Sequence, residues 1–78
     1  MDQKEKIEIS GANIKDVLFK IRYDMGISRH EAADKSGVSR QRINYWEVGR
    51  CAPSLDLLEQ LLKSYGYRIV IEKMEEEK

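Results

Sequence analysis

Arg40, Gln41, Arg42, Asn44 and Tyr45 place five strong hydrogen-bonding side chains within six consecutive positions. Their chemistry matches base edges in the DNA major groove, where a guanidinium pairs bidentately with guanine and an Asn or Gln amide with adenine. If the stretch 40–48 is helical, Gln41, Asn44, Tyr45 and Val48 share one side, with Arg40 and Arg42 flanking it. Ile43, Trp46 and Glu47 share the other. The outer side then has no carboxylate, because Glu47, the one acid of the stretch, turns inward. An ordinary solvated helix face also carries Arg and Gln, but it does not account for that missing acid. Ser39, directly before the stretch, and the free amides of a first helical turn can hold a phosphate.

Other chemistries find no support in the sequence. One His (His30) and one Cys (Cys51) provide neither an internal disulfide nor a tetrahedral zinc site. No Ser/His/Asp or Cys/His arrangement is spaced for nucleophilic catalysis. His30 reads as an exposed helix residue and Cys51 as a loop residue. Asp56 and Glu59 lie near a helix start, where carboxylates favour the dipole. The sequence predicts no enzyme, no cofactor, no metal and no small-molecule ligand.

The elements that must hold the 40–48 stretch outward are marked by caps and stops. Ser10, Gly11 and Asn13 supply turn and N-cap chemistry. A helix over 14–25 follows, with Ile14, Val17, Leu18, Ile21 and Met25 at helical spacing, and Gly26 stops it. Ser28 and Glu31 fit a capping box that opens a short second helix, running to about Ser36 and broken by Gly37. Ser39 caps the third helix, which ends at Gly49. Ser54 caps a fourth, strongly apolar helix over 55–65, closed by Gly66. Only residues 37–39 separate the second and third helices, so these must cross steeply, as in a helix-turn-helix. Gly37 lets the chain reverse there, and Ala32 and Ala33 let backbones approach. A generic helical hairpin in a small bundle also fits this spacing.

Both ends read as strands. Ile7 and Ile9 alternate with charged residues, and residues 67–72 are rich in β-branched and aromatic types. The predicted fold class is mainly α: four helices with a short C-terminal β-strand and a possible N-terminal one, used in pairing. As one domain over 1–78, it divides into an arm at 1–9, a helical part at 10–66, a strand at 67–72 and a charged tail at 73–78.

A chain of 78 residues buries only about 60% of its unfolded surface. Without disulfide or metal, a partner subunit is the favoured source of extra stability. No apolar run approaches the roughly 18 residues of a membrane span. The charged start at residues 1–6 is unlike a signal peptide. The expectation is a soluble, cytoplasmic protein with no membrane partner. The formal net charge of zero hides an imbalance: residues 27–50 hold five basic side chains against three acidic, and residues 51–78 four against six. Neutrality argues against non-specific polyanion binding but permits a local phosphate-facing patch.

Ile21-Arg22, Gly26-Ile27-Ser28, Ala33, Gly37-Val38-Ser39, Ile43, Trp46-Glu47, Gly49-Arg50 and Pro53 together resemble the pattern of the phage-repressor-like (Cro/XRE-type) helix-turn-helix family. The resemblance covers roughly residues 12–65. It implies a helical DNA-binding domain, usually dimeric, that regulates transcription. It implies a structural ion pair between Arg22 and Glu47. It places base reading on Arg40, Gln41 and Tyr45, with Arg42 and Asn44 as neighbours, and phosphate contact on Arg29, Arg50 and Val48. Val48 departs from the often polar residue there, and Ala32 from the usual Leu.

The implied function is a sequence-specific double-stranded DNA-binding regulator, a repressor that binds an inverted-repeat operator as a dimer. A protein-interaction module that kept the fold without DNA binding is the alternative. Leu58, Leu61, Leu62, Ile69 and Ile71, with Tyr67 at the rim, are the expected homodimer interface. A repressor-type domain followed by a strand also resembles some antitoxin subunits in layout, which raises a toxin protein as a possible partner.

Overall fold

The turn before the first helix is closed by both polar ends of the Asn13 side chain. Asn13 Oδ1 accepts from the Ser10 amide at 2.7 Å and Asn13 Nδ2 donates to the Glu8 carbonyl at 3.0 Å. From there α1 (Ile14–Met25) runs with Leu18 and Ile21 buried and ends at Gly26. The capping box forms at the start of α2 (Arg29–Ser36): Ser28 Oγ accepts from the Glu31 amide at 3.0 Å, and Glu31 Oε1 accepts from the Ser28 amide at 2.8 Å. Ser39 Oγ accepts from the Arg42 amide at 3.1 Å and caps α3 (Arg40–Val48). The last helix, α4 (Leu55–Ser64), stops one residue short of the expected end, with Tyr65 as its cap. This architecture comes from a computed structural model that describes residues 5–75.

α2 packs against both α3 and α4, and α1 packs against α3. Leu18, Val38, Ile43 and Leu61 are the largest fully enclosed side chains, and Ile21, Trp46, Leu58, Leu62 and Tyr65 complete the centre. Ala32 is fully buried at the α2 crossing, where its methyl group lets the helix sit close. Gly37 makes the turn to α3 at φ 80, a backbone conformation costly for a residue with a Cβ. The turn is also fastened from α4, where Gln60 Nε2 donates to the Ser36 carbonyl at 2.9 Å.

Two expectations need correction. Neither 6–9 nor 67–72 forms a strand, and no strand occurs among the described residues. A strand exists only through ladder hydrogen bonds to a neighbour, so β-branched composition without a paired backbone leaves irregular chain. One link joins the two ends: Tyr67 Oη donates to Glu5 Oε1 at 2.9 Å. Burial and that carboxylate both push the Tyr67 phenol above its ordinary pKa. The second correction concerns Leu58, Leu61 and Leu62. All three point into the core of their own chain and are unavailable to a partner subunit. Of the remaining expected interface residues, Tyr67 and Ile69 are half-buried against that core, while Ile71 is 97% exposed beside exposed Val70 and Met74. Residues 1–4 of the arm and 76–78 of the tail lie outside the described residues. Among those described, no helix is long and apolar enough to cross a membrane.

Candidate nucleic-acid interface

The surface of α3 is positioned by a charge network on its inner side. Glu47, whose side chain is 1% exposed, meets the Arg22 guanidinium as a fork: Nε donates to Oε2 at 2.7 Å and Nη2 to Oε1 at 2.8 Å. Such bidentate pairs fix both distance and orientation. The third nitrogen, Arg22 Nη1, donates to the Ile27 carbonyl at 2.8 Å and so holds the chain leaving α1. Arg29 Nε, at the first position of α2, donates to Glu47 Oε1 at 3.0 Å. One carboxylate on α3 therefore ties down α1 and α2 together. The hydrogen bonds to Glu47 hold the Arg22 guanidinium above even its high ordinary pKa. Nearby, the buried Tyr65 hydroxyl has no hydrogen-bond partner among the described residues. Burial first, and then the negative charge of Glu47, push its pKa up to about 12.

The outer side of α3 carries Arg40, Gln41 and Arg42 exposed, with Asn44 and Tyr45 half-buried at its edge. Gln41 Nε2 donates to Tyr45 Oη at 2.8 Å. Just past the helix, the Arg50 guanidinium lies over the Tyr45 ring, 4.7 Å from its centroid, and the Arg50 amide donates to the Tyr45 carbonyl at 2.8 Å. Gly49 has φ 82, and a Cβ there would meet Lys15 Cδ at 2.8 Å. That glycine lets the chain turn sharply enough to bring Arg50 back over Tyr45. An open groove of about 600 Å³ follows this face past Ser39, Gln41, Arg42, Tyr45 and Cys51.

The structure thus brings Gln41, Arg42, Tyr45 and Arg50 together, with Ser39 at the N-terminal end of the helix and Arg40 exposed beside it. Ser39 uses its oxygen as the cap acceptor and keeps its O–H as a donor. Arg29 makes a contact that the resemblance does not imply. Its Nε is bound to Glu47, and the side chain is 36% exposed, so it bridges the interior network and the surface. Val48 is exposed and offers no polar group. Three couplings are absent from the sequence reading: Gln41 with Tyr45, Arg50 with the Tyr45 ring, and Arg29 with Glu47. The i, i+4 spacing of Gln41 and Tyr45 was a usable signal for one. Nothing in the sequence signals the Arg29–Glu47 contact, which depends on how α2 crosses α3.

Comparison with known proteins bears on the fold as a whole. A family model described as helix-turn-helix matches residues 18–71. The chain belongs to the phage-repressor-like (Cro/XRE-type) helix-turn-helix family. It is similar to the HTH-type transcriptional regulator PuuR of Escherichia coli (strain K12), with 37% identity over 49 residues, which is 63% of this chain and 26% of that protein. The PuuR protein of Shigella flexneri matches with the same identity and coverage. The chain thus spans about a quarter of the length of these curated relatives. No solved structure matches it at a significant level.

Proposed function

We propose that this protein is a sequence-specific, double-stranded DNA-binding transcriptional regulator that acts in the cytoplasm as a repressor, with α3 in the major groove. The observation that carries the reading is the outer face of α3. It presents guanidinium and amide groups without a carboxylate, on a helix braced from behind by Arg22, Arg29 and Glu47. Arg40, Gln41, Arg42 and Asn44 reach base edges. Ser39 and Arg50 contact phosphates, and Arg29 reaches one through the nitrogens that Glu47 does not hold. The relatives' description as transcriptional regulators supports the same role.

A homodimer on an inverted repeat completes the proposal. Exposed Val70, Ile71 and Met74 form an apolar segment that a second copy would cover. Two copies of α3 would then stand about 34–36 Å apart, one turn of DNA. The likeness to antitoxins rested on a C-terminal strand that does not form, so a toxin partner is not part of the proposal. A gel shift with duplex DNA from upstream of the protein's own reading frame, repeated across salt concentrations, tests the reading. Specific retention that weakens log-linearly with salt is expected. Binding equal to that of unrelated DNA, or none, would instead favour the protein-interaction module.

A further inference from the structure

Tyr45 touches two parts of the DNA-facing surface at once. Its hydroxyl accepts from Gln41 Nε2, its ring carries the Arg50 guanidinium, and it is itself packed against the core. We propose that Tyr45 is a positioning residue that reads no base itself: it fixes the place of the Gln41 amide and anchors Arg50. The inference rests on the DNA-reading function above and specifies how its selectivity is set.

A free glutamine spreads over many rotamers, whereas a bidentate amide contact needs both polar ends at one place in the groove. Held by Tyr45 Oη at 2.8 Å, the Gln41 amide still has a carbonyl oxygen and an N–H to offer the groove. Adenine offers an N6 donor next to an N7 acceptor and satisfies both. Guanine offers two acceptors, N7 and O6, and sets one of them against the carbonyl oxygen. By holding that amide in place, the Tyr45 hydroxyl strengthens the adenine preference that Gln41 sets. The ring does separate work, since Arg50 stacked on it is held ready for a phosphate.

Selection from a random-sequence duplex library tests this with wild type, Gln41→Ala and Tyr45→Phe, the last of which keeps the ring. Wild type is expected to enrich adenine at one position, and Gln41→Ala to lose that preference. Tyr45→Phe is expected to lower the adenine-to-guanine ratio at that same position by about 3- to 10-fold, as loss of one orienting hydrogen bond would. Other positions, the salt slope and the melting temperature should not change. Tyr45→Ala, which also removes the ring, is expected to reduce the salt slope by about one, as Arg50→Ala does. An unchanged ratio in Tyr45→Phe, or a change at a position independent of Gln41, overturns the inference while leaving the DNA-reading function intact. A wild-type protein that enriches no sequence overturns that function and this inference with it.

Discussion

Glu47 concentrates the residue-scale energetics of this protein. Its carboxylate is enclosed and receives three charge-assisted hydrogen bonds, two from Arg22 and one from Arg29. Truncating it strands the buried Arg22 guanidinium, which costs about 3–5 kcal/mol. Glu47→Ala is therefore expected to lower the melting temperature sharply, and thermal unfolding followed by circular dichroism checks this; an unchanged midpoint would show the pair to be unimportant. Tyr65 makes a second prediction, in the alkaline range. Its phenol titrates near 10 when unfolded and at about 12 when folded. Between those values the native state keeps a proton that the unfolded state has lost. Stability is thus full below pH 10 and falls as pH rises toward 12, by about 2–3 kcal/mol from this group. Tyr65→Phe removes the unpartnered hydroxyl as well as the titration. Denaturant midpoints should show equal or higher stability at neutral pH and a shallower alkaline decline than wild type.

At the scale of the element, α3 has two faces with separate tasks, and substitutions should divide accordingly. Gln41→Ala or Arg40→Ala is expected to weaken binding to the preferred duplex by about 1–3 kcal/mol and relax preference at one base position. Arg50→Ala should weaken binding to all duplexes and reduce the salt slope by about one. Titrations at several salt concentrations separate the two behaviours; unchanged affinity in the first pair would remove α3 as the reader. The turn into α3 is similarly specific. Gly37→Ala places a Cβ at φ 80, where it meets Gln60 Nε2 at 3.1 Å. The expected loss is about 1–2 kcal/mol, measured by chemical denaturation. Gln60 would also be pushed from the Ser36 carbonyl that it caps.

For the whole molecule, the question is what covers the apolar C-terminal segment. Ile71 is almost wholly exposed, and Val70 and Met74 are exposed beside it. If a second copy covers them, sedimentation at micromolar concentrations should give a dimer. Ile71→Asp should then give a monomer with an unchanged far-ultraviolet spectrum, because the side chain contributes nothing to the core of its own chain. A dimer unaffected by Ile71→Asp would place the interface elsewhere. Loss of the dimer should also weaken binding to an inverted repeat far more than to a single half-site.

The sequence by itself determined the elements and their order. Four helices start at Ser or Asn positions and the first three stop at Gly, all local signals, so Ile14–Met25, Arg29–Ser36 and Arg40–Val48 are legible without knowledge of the packing. The inward turn of Glu47 and the acid-free outer face also follow from helical periodicity alone. Only the tertiary structure decided which surface each apolar stripe meets. Leu58, Leu61 and Leu62 have the spacing of an interface and of a core alike, and it took the crossing of α2 over α4 to bury them inside one chain. The strand expected at 67–72 failed for the same kind of reason, since a strand is a relation between two backbones and composition cannot supply the second. Arg29 reached Glu47, and Arg50 reached Tyr45, because a steep helix crossing and a glycine turn brought distant and neighbouring residues within bonding distance. Short-range chemistry is written along the chain, whereas a contact between elements depends on their angle and separation.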